Sequence, residues 1–267
     1  MKEKPAWIEK VLTNKKYRSL NLSEETILDL VSRIEGDGMP KKRVEKTVRE
    51  KLHNIVAPYL EDVDYGLAMQ ELHEIDTQEH ERLYAFAEKM LRAHTSTNER
   101  MEILDDFYGY IGDQLPQKPV VRIADFACAM NPFAIQWMHL PASCEFYAYD
   151  LNGARIALLN LYFQKTGFHA QAKHADIMIN VPEEPVDAVF FFKEAHRFEQ
   201  RQKGSTGKFL LQVNAPLMFV SLPSRNMTGK HDLSGKHIRI MEEAIAGNDW
   251  RMETREFGKE LLFTIRK

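Results

Sequence analysis

Two hydrophobic rhythms divide the chain. Up to about residue 110, apolar residues recur at helical spacing. Ile27, Leu28, Leu30, Val31 and Ile34 follow Ser23, a residue type suited to cap a helix, and Gly36-Asp37-Gly38 closes the run. After Pro40, a basic amphipathic stretch from Lys41 to Leu60 puts Val44, Val48, Leu52, Ile55 and Val56 on one side. Glu79 to His94 repeats the pattern with Leu83, Phe86, Ala87, Met90 and Leu91. Ser96 or Thr97 is expected to cap a further helix through Met101, Ile103, Leu104, Phe107 and Tyr108. Pro116-Gln117-Lys118-Pro119 then breaks the chain, and short apolar runs alternate with helical stretches, the sign of a parallel sheet. Strands are predicted at 120–127, 145–151, 170–175, 186–193 and 217–222, with an antiparallel hairpin, 250–257 and 260–266, turning at Gly258. The pattern predicts an α/β protein: a helical N-terminal domain and linking helices over 1–116, and a sheet domain over 117–267.

The ends of the predicted strands carry the chemistry. Val120 to Phe126 runs into Ala127-Cys128-Ala129-Met130-Asn131-Pro132, small residues and then a breaker. The second strand, Phe146-Tyr147-Ala148-Tyr149, ends in Asp150. In an open α/β sheet the ligand sits outside the carboxyl ends of the strands, where an acid can hold a ribose diol. A nucleoside-containing cofactor is therefore expected. A nicotinamide enzyme would show Gly-x-Gly-x-x-Gly in the first turn for close approach to a pyrophosphate. This turn has no glycine at all. An ordinary strand-turn-helix of an unrelated α/β protein stays open at this point.

Composition narrows the setting. The chain has 267 residues, 44% hydrophobic and 28% charged, enough for one large or two modest domains. No apolar run reaches membrane-span length, and the start, Met1-Lys2-Glu3-Lys4-Pro5, lacks the apolar core of a signal peptide. Cys128 and Cys144 suit neither a disulfide framework nor a metal knuckle, and the ten histidines show no zinc-protease spacing. A cytoplasmic protein with no metal is expected. Residues 1–60 carry 13 Lys/Arg against 9 Asp/Glu, whereas 61–118 carry 5 against 14. The basic head is either a phosphate-binding surface or a solvated helix face.

Several motifs point to one family. His94-Thr95-Ser96-Thr97-Asn98-Glu99-Arg100 resembles the His-x-Ser-Thr-x-Glu-Arg segment of the bacterial 16S rRNA (guanine-N7) methyltransferases behind aminoglycoside resistance. Asp125 to Pro132 is similar to their Asp-x-x-Cys-Gly-x-Asn-Pro cofactor motif. Asn14-Lys15-Lys16-Tyr17, Lys51-Leu52-His53 and the loop from Ser221-Leu222-Pro223 to Gly229-Lys230 resemble further elements of the family, in the same order. The resemblance spans nearly the whole chain. It implies a class I S-adenosylmethionine (SAM) methyltransferase sheet, Rossmann-like, behind a helical rRNA-binding domain.

It also implies roles. Arg100 is expected on the methionine carboxylate of SAM, where a fork of donors suits two oxygens. Asp125, Ala127 and Ala129 are expected to form the cofactor turn, Asp150 to accept from the ribose and Asp176 from the adenine amine. Lys193, closing the fourth strand, is the candidate catalytic residue. Lys15, Lys16, Arg18, Lys41, Lys42, Arg43 and Lys46, with Arg225 and Lys230 of a lid loop that also carries His231 and Lys236, are expected to hold 16S rRNA of the 30S subunit. The N-terminal helices are expected to form a surface apart from the cofactor crevice. Plainer readings exist: a helix-surface Arg100, Asp150 as a strand-end cap, Lys193 snorkelling to solvent. Three residues depart from the family. Ala129 replaces a glycine and its methyl would crowd the cofactor, Asn152 replaces a second aspartate, and Leu222 replaces a phenylalanine whose face could stack a base. They leave open a ribosome-binding homologue with weak or no activity. A small-molecule methyltransferase fits the basic helices and long loop less well.

Overall fold

The computed structural model describes residues 7–14, 22, 24–36, 38, 40–56, 63–226 and 231–267. Seven strands form one sheet: β1 (Arg122–Phe126), β2 (Glu145–Asp150), β3 (Ala170–His174), β4 (Ala188–Phe192), β5 (Leu217–Pro223), β6 (Arg251–Phe257) and β7 (Glu260–Arg266). Their order is β3-β2-β1-β4-β5-β7-β6. The first five are parallel, and β7 inserts antiparallel between β5 and β6. Every predicted strand is present within a residue or two of its expected ends.

Strand composition follows position. β4, Ala-Val-Phe-Phe-Phe, lies in the middle and is buried along its length, as a strand covered on both faces must be. β6, at the edge, exposes Arg251, Glu253, Arg255 and Glu256, charges that discourage pairing with another chain.

The helices are α1 (Trp7–Leu12), α2 (Glu24–Gly36), α3 (Lys41–Val56), α4 (Tyr65–Glu74), α5 (His80–Ala93), α6 (Thr95–Asn98), α7 (Leu104–Gln114), α8 (Gly153–Thr166), α9 (Ala195–Arg201), α10 (Ser205–Gln212) and α11 (Ser234–Ile245). Those between Tyr65 and Gln114 share one apolar cluster with α8 and one face of the sheet. On the other face, α9, α10 and α11 pack against Phe126, Phe191, Val220 and Phe263. Residues from Ile8 to Leu52 form a third cluster of their own, against which Leu151 packs. The helices between Tyr65 and Gln114 pack on the sheet and do not join that third cluster.

Two sequence expectations change here. The helix expected from Ser96 or Thr97 through Tyr108 is broken: α6 is four residues long, a 3-10 turn spans Met101–Ile103, and α7 begins at Leu104. The break turns Glu99 and Arg100 toward the sheet, where their partners lie. After the turn that follows β1, the chain enters a 3-10 helix, Asn131–Trp137, in place of an α-helix, with Pro132 in its first turn. The stretch from 57 to 60, and the expected cap Ser23, lie outside the described residues.

Candidate active site

The strand order reverses between β1 and β4, and the carboxyl ends there open a crevice, the position where α/β sheets hold ligands. Beside it, a cavity of about 610 Å³ is lined by Ala127, Asp150, Leu151, Asp176, Ile177 and His196. Leu30 and Arg33 of α2 and Lys51 of α3 also line it. The N-terminal helices are therefore a wall of this cavity and not a surface apart from it.

The turn after β1 is strained. Ala127 and Ala129 sit at φ 51° and 47°, and Lys193, directly after β4, at 58°. Side chains there cost on the order of 1–2 kcal/mol each, because Cβ crowds the following carbonyl. Tertiary hydrogen bonds hold the turn in place: the Ala129 amide donates to Asp150 Oδ2 (3.0 Å) and the Cys128 amide to the Tyr149 carbonyl (3.0 Å). Burial pushes the Cys128 thiol well above its usual range, which makes it a poor nucleophile.

Asp150 is buried and anchors this arrangement. Its oxygens accept from Arg155 Nη1 at 3.1 and 3.0 Å and from the Asn152 amide at 2.8 Å. Arg155 is fully buried and also donates Nε to the Tyr65 hydroxyl (3.1 Å). Asn152 caps α8, its side-chain oxygen accepting from the Ala154 and Arg155 amides (both 3.1 Å). Asparagine caps a helix as well as aspartate does, so this departure from the family costs the fold nothing. Leu222 is fully buried in the sheet core. Its side chain offers no face to a base, and the stacking role expected of that position is not available there.

A second group of expected residues lies beneath the turn as one buried polar network. Arg100 is 2% exposed, its guanidinium 4.5 and 4.6 Å from the ring centres of Phe107 and Phe192. It donates Nε and Nη2 to the two oxygens of Glu260 (3.2 and 2.5 Å) and Nη1 to Asn131 Oδ1 (2.6 Å). Asn131 Oδ1 also accepts from the Tyr108 hydroxyl (2.5 Å), while Nδ2 donates to Asp125 Oδ2 (2.8 Å). Lys193 donates to the Ser96 carbonyl (3.1 Å) and Glu99 (2.7 Å), and lies 3.3 Å from Glu260. It is 7% exposed, so it does not snorkel. Burial alone would raise the Glu260 carboxyl, but Arg100 and Lys193 hold it below the usual range. Burial drives Asp125 the other way, well above that range, against the pull of Asn131 and Arg100.

Sequence reasoning missed Glu260, Glu99, Tyr108, Arg155 and Arg201. Glu99 stood inside a quoted motif. Glu260 carried only a faint signal, an acid opening an otherwise apolar strand. Asp176 accepts from Arg201 Nη1 and Nη2 (3.2 and 3.0 Å), the Met178 amide (3.1 Å) and the Thr26 hydroxyl (3.1 Å).

Arg43, Lys46 and Arg225 are exposed. Lys15, Lys16, Arg18 and Lys230, and the side chains of Lys41 and Lys42, lie outside the described residues. Among the described residues no group of three or more His, Cys, Asp or Glu could hold a metal ion, and no helix is long and apolar enough to cross a membrane.

Residues 13–265 match the protein family described as ribosomal RNA methyltransferase (FmrO). The 16S rRNA (guanine(1405)-N(7))-methyltransferase of Micromonospora echinospora is 25% identical over 226 residues, 83% of this chain and 82% of that protein. Its namesake from Proteus mirabilis is 28% identical over 267 residues, covering 90% and 92%. The solved structure of 16S rRNA methyltransferase RmtF in complex with S-adenosyl-L-homocysteine shares the fold, with a TM-score of 0.80 at 22% identity over 98% of this chain and 97% of that one.

Two predictions arise from the site. Glu260→Ala leaves Arg100 and Lys193 as buried cations, and is expected to cost about 3–5 kcal/mol, read from urea unfolding. The second concerns pH. Burial first, then Arg155, Arg197, Lys193 and Arg100, lower His94 from 6.5 to about 3. Burial and Arg197 lower His196 from 6.5 to about 4. Below pH 6.5 the unfolded chain takes up protons that the native fold refuses, so stability is full above that pH and falls toward pH 4. Between pH 7 and 5 the loss is on the order of 1–2 kcal/mol per histidine, and His94→Gln should remove about half of the combined loss.

Proposed function

Because the chain belongs to the FmrO family of ribosomal RNA methyltransferases, we propose that it methylates N7 of a guanine in the decoding region of 16S rRNA, within the 30S subunit, using SAM. The observation that carries this reading is the crevice itself. A strained turn, an acid closing β2 and a cavity of nucleoside size meet where the strand order reverses. The residues present fit the cofactor. Asp125 Oδ1, near the end of β1, is a buried polar atom with no hydrogen-bond partner among the described residues, an orphan that a bound ligand would satisfy.

Within this reading Ala127 and Ala129 bring backbone against the cofactor, Asp150 faces the ribose and Asp176 the adenine amine. Arg100 faces the methionine carboxylate, with four of its five N–H donors already committed to Glu260, Asn131 and Tyr108. When bound, SAM supplies an electrophilic methyl group on a sulfonium. Guanine N7 holds a lone pair and no proton, so the chain needs no general base. It has only to align the base and stabilise moving charge. Lys193 is suited to this, because its three protons meet Ser96, Glu99 and Glu260 and the cation is fixed in place as a local field. The exposed Arg43, Lys46 and Arg225, together with Lys15, Lys16, Arg18, Lys41, Lys42 and Lys230, hold rRNA phosphates. The reaction places the protein in the cytoplasm and protects its host from aminoglycosides.

The decisive experiment incubates purified 30S subunits with methyl-labelled SAM and maps the modified base by primer extension. Label at a decoding-region guanine is expected, and Lys193→Ala should slow single-turnover transfer strongly while leaving 30S affinity nearly unchanged. Binding of 30S without transfer would identify the chain as a ribosome-binding homologue. For the turn, Ala129→Gly should relieve roughly 1 kcal/mol of backbone strain and tighten SAM binding in calorimetry. Unchanged affinity would show that the turn has adapted to alanine.

A further inference from the structure

Arg201, at the end of α9, is the point where the N-terminal helices reach the cofactor cavity. Its guanidinium grips both oxygens of Asp176, at 3.2 and 3.0 Å, and its Nη2 also meets Asp29 Oδ2 of α2 at 3.3 Å. Asp29 in turn accepts from Arg33 (2.8 Å), whose Nη1 donates to Gln202, beside Arg201. Thr26, one turn earlier on α2 and fully buried, donates to Asp176. Asp176 and Arg201 both line the cavity, as do Leu30 and Arg33 of the same helix.

A carboxylate has about four lone-pair sites, and the four donors on Asp176 fill them. Three are held firmly: two by a charged fork, which fixes the plane of the carboxylate, and one by the Met178 amide. The fourth, the Thr26 hydroxyl, is an uncharged donor on a rotor that can turn away, which neither the fork nor a backbone amide can do. It is the donor that an incoming amine can replace.

We propose that Arg201, held by Asp29, is a positioning residue that orients Asp176 to read the exocyclic amine of the cofactor's adenine, and that α2 is thereby part of the cofactor site. This rests on the assignment of SAM to the cavity. Thr26 keeps the acceptor on Asp176 Oδ2 satisfied until the amine arrives. Arg201 and Asp29 act through Asp176 and touch no reacting atom, so their effect is on recognition of the base.

The test is calorimetry on the full chain with two ligands, S-adenosylhomocysteine and S-inosylhomocysteine, in which a 6-oxo group replaces the amine and turns a donor into an acceptor. Wild type should prefer the adenosyl ligand. Asp29→Asn and Arg201→Gln should each weaken that ligand roughly tenfold, the scale of one well-made hydrogen bond, and leave the inosyl ligand nearly unchanged. Thr26→Val should retain the preference. Thermal melting checks that each variant is folded. Equal weakening of both ligands would mark a merely structural tie and overturn the proposal, as would an undiminished preference in both variants or no preference in wild type. A wild-type chain that binds neither ligand would remove the SAM assignment as well.

Discussion

A guanidinium buried against two phenylalanine rings has lost its water, and the fold must return an equivalent charge to it. Glu260 does so for Arg100, with both side chains 2% exposed. Because desolvation of two ions nearly cancels their attraction, such a pair adds little net stability. What it adds is a demand on geometry, since either partner alone would be a buried charge. Every other polar group nearby is arranged around that demand. Asn131 completes the fork and passes the constraint to Asp125 at the end of β1, while Lys193 shares Glu260 and passes it to Ser96 and Glu99. The turn after β1, the end of β4, the start of β7 and the segment 94–100 are therefore fixed by one set of charges.

Strain collects where these constraints meet. Three non-glycine residues with positive φ, Ala127, Ala129 and Lys193, lie just past the ends of two adjacent strands. A fold would not keep such conformations unless neighbouring contacts over-determine them, and sites that bind or react are where they are kept. Asp150 holds the Ala129 amide, and the Ser221 carbonyl holds the Lys193 amide at 2.8 Å. Asp150 is itself held by Arg155, so the acid that lines the cavity is already ion-paired and oriented.

The sheet was legible because strand signals are local. Apolar runs such as Ala188–Phe192, bounded by charges and breakers, leave little freedom in placement. The turn was legible too, since small residues followed by Asn-Pro allow few structures. The partners of the charged residues were not. Arg100 and Glu260 are 160 positions apart, and Thr26 and Asp176 are 150 apart; nothing in either local pattern names the other. The helix expected across Arg100 failed for the same reason, since its apolar spacing suits a continuous helix while distant charges require a break. Leu222 misled in the opposite sense. Its neighbours Ser221 and Pro223 suggest a loop, but its side chain belongs to the core.

The separation of Arg100 from Glu260 also sets a schedule for the making of the protein. At 5–20 residues per second, a ribosome that has added Arg100 needs roughly 8–30 s more to reach its counter-ion. During that interval the first five strands can be synthesised, but the cation beside Phe192 lacks its acid and the end of β4 lacks one of its anchors. The sheet must then admit β7 between β5 and β6, an internal position, after the strands on both sides of it have been made. Nascent chains thus lack the finished charge network until Glu260 has been added. A stall just before residue 260 leaves a product with six strands and a charge network that lacks its shared acid.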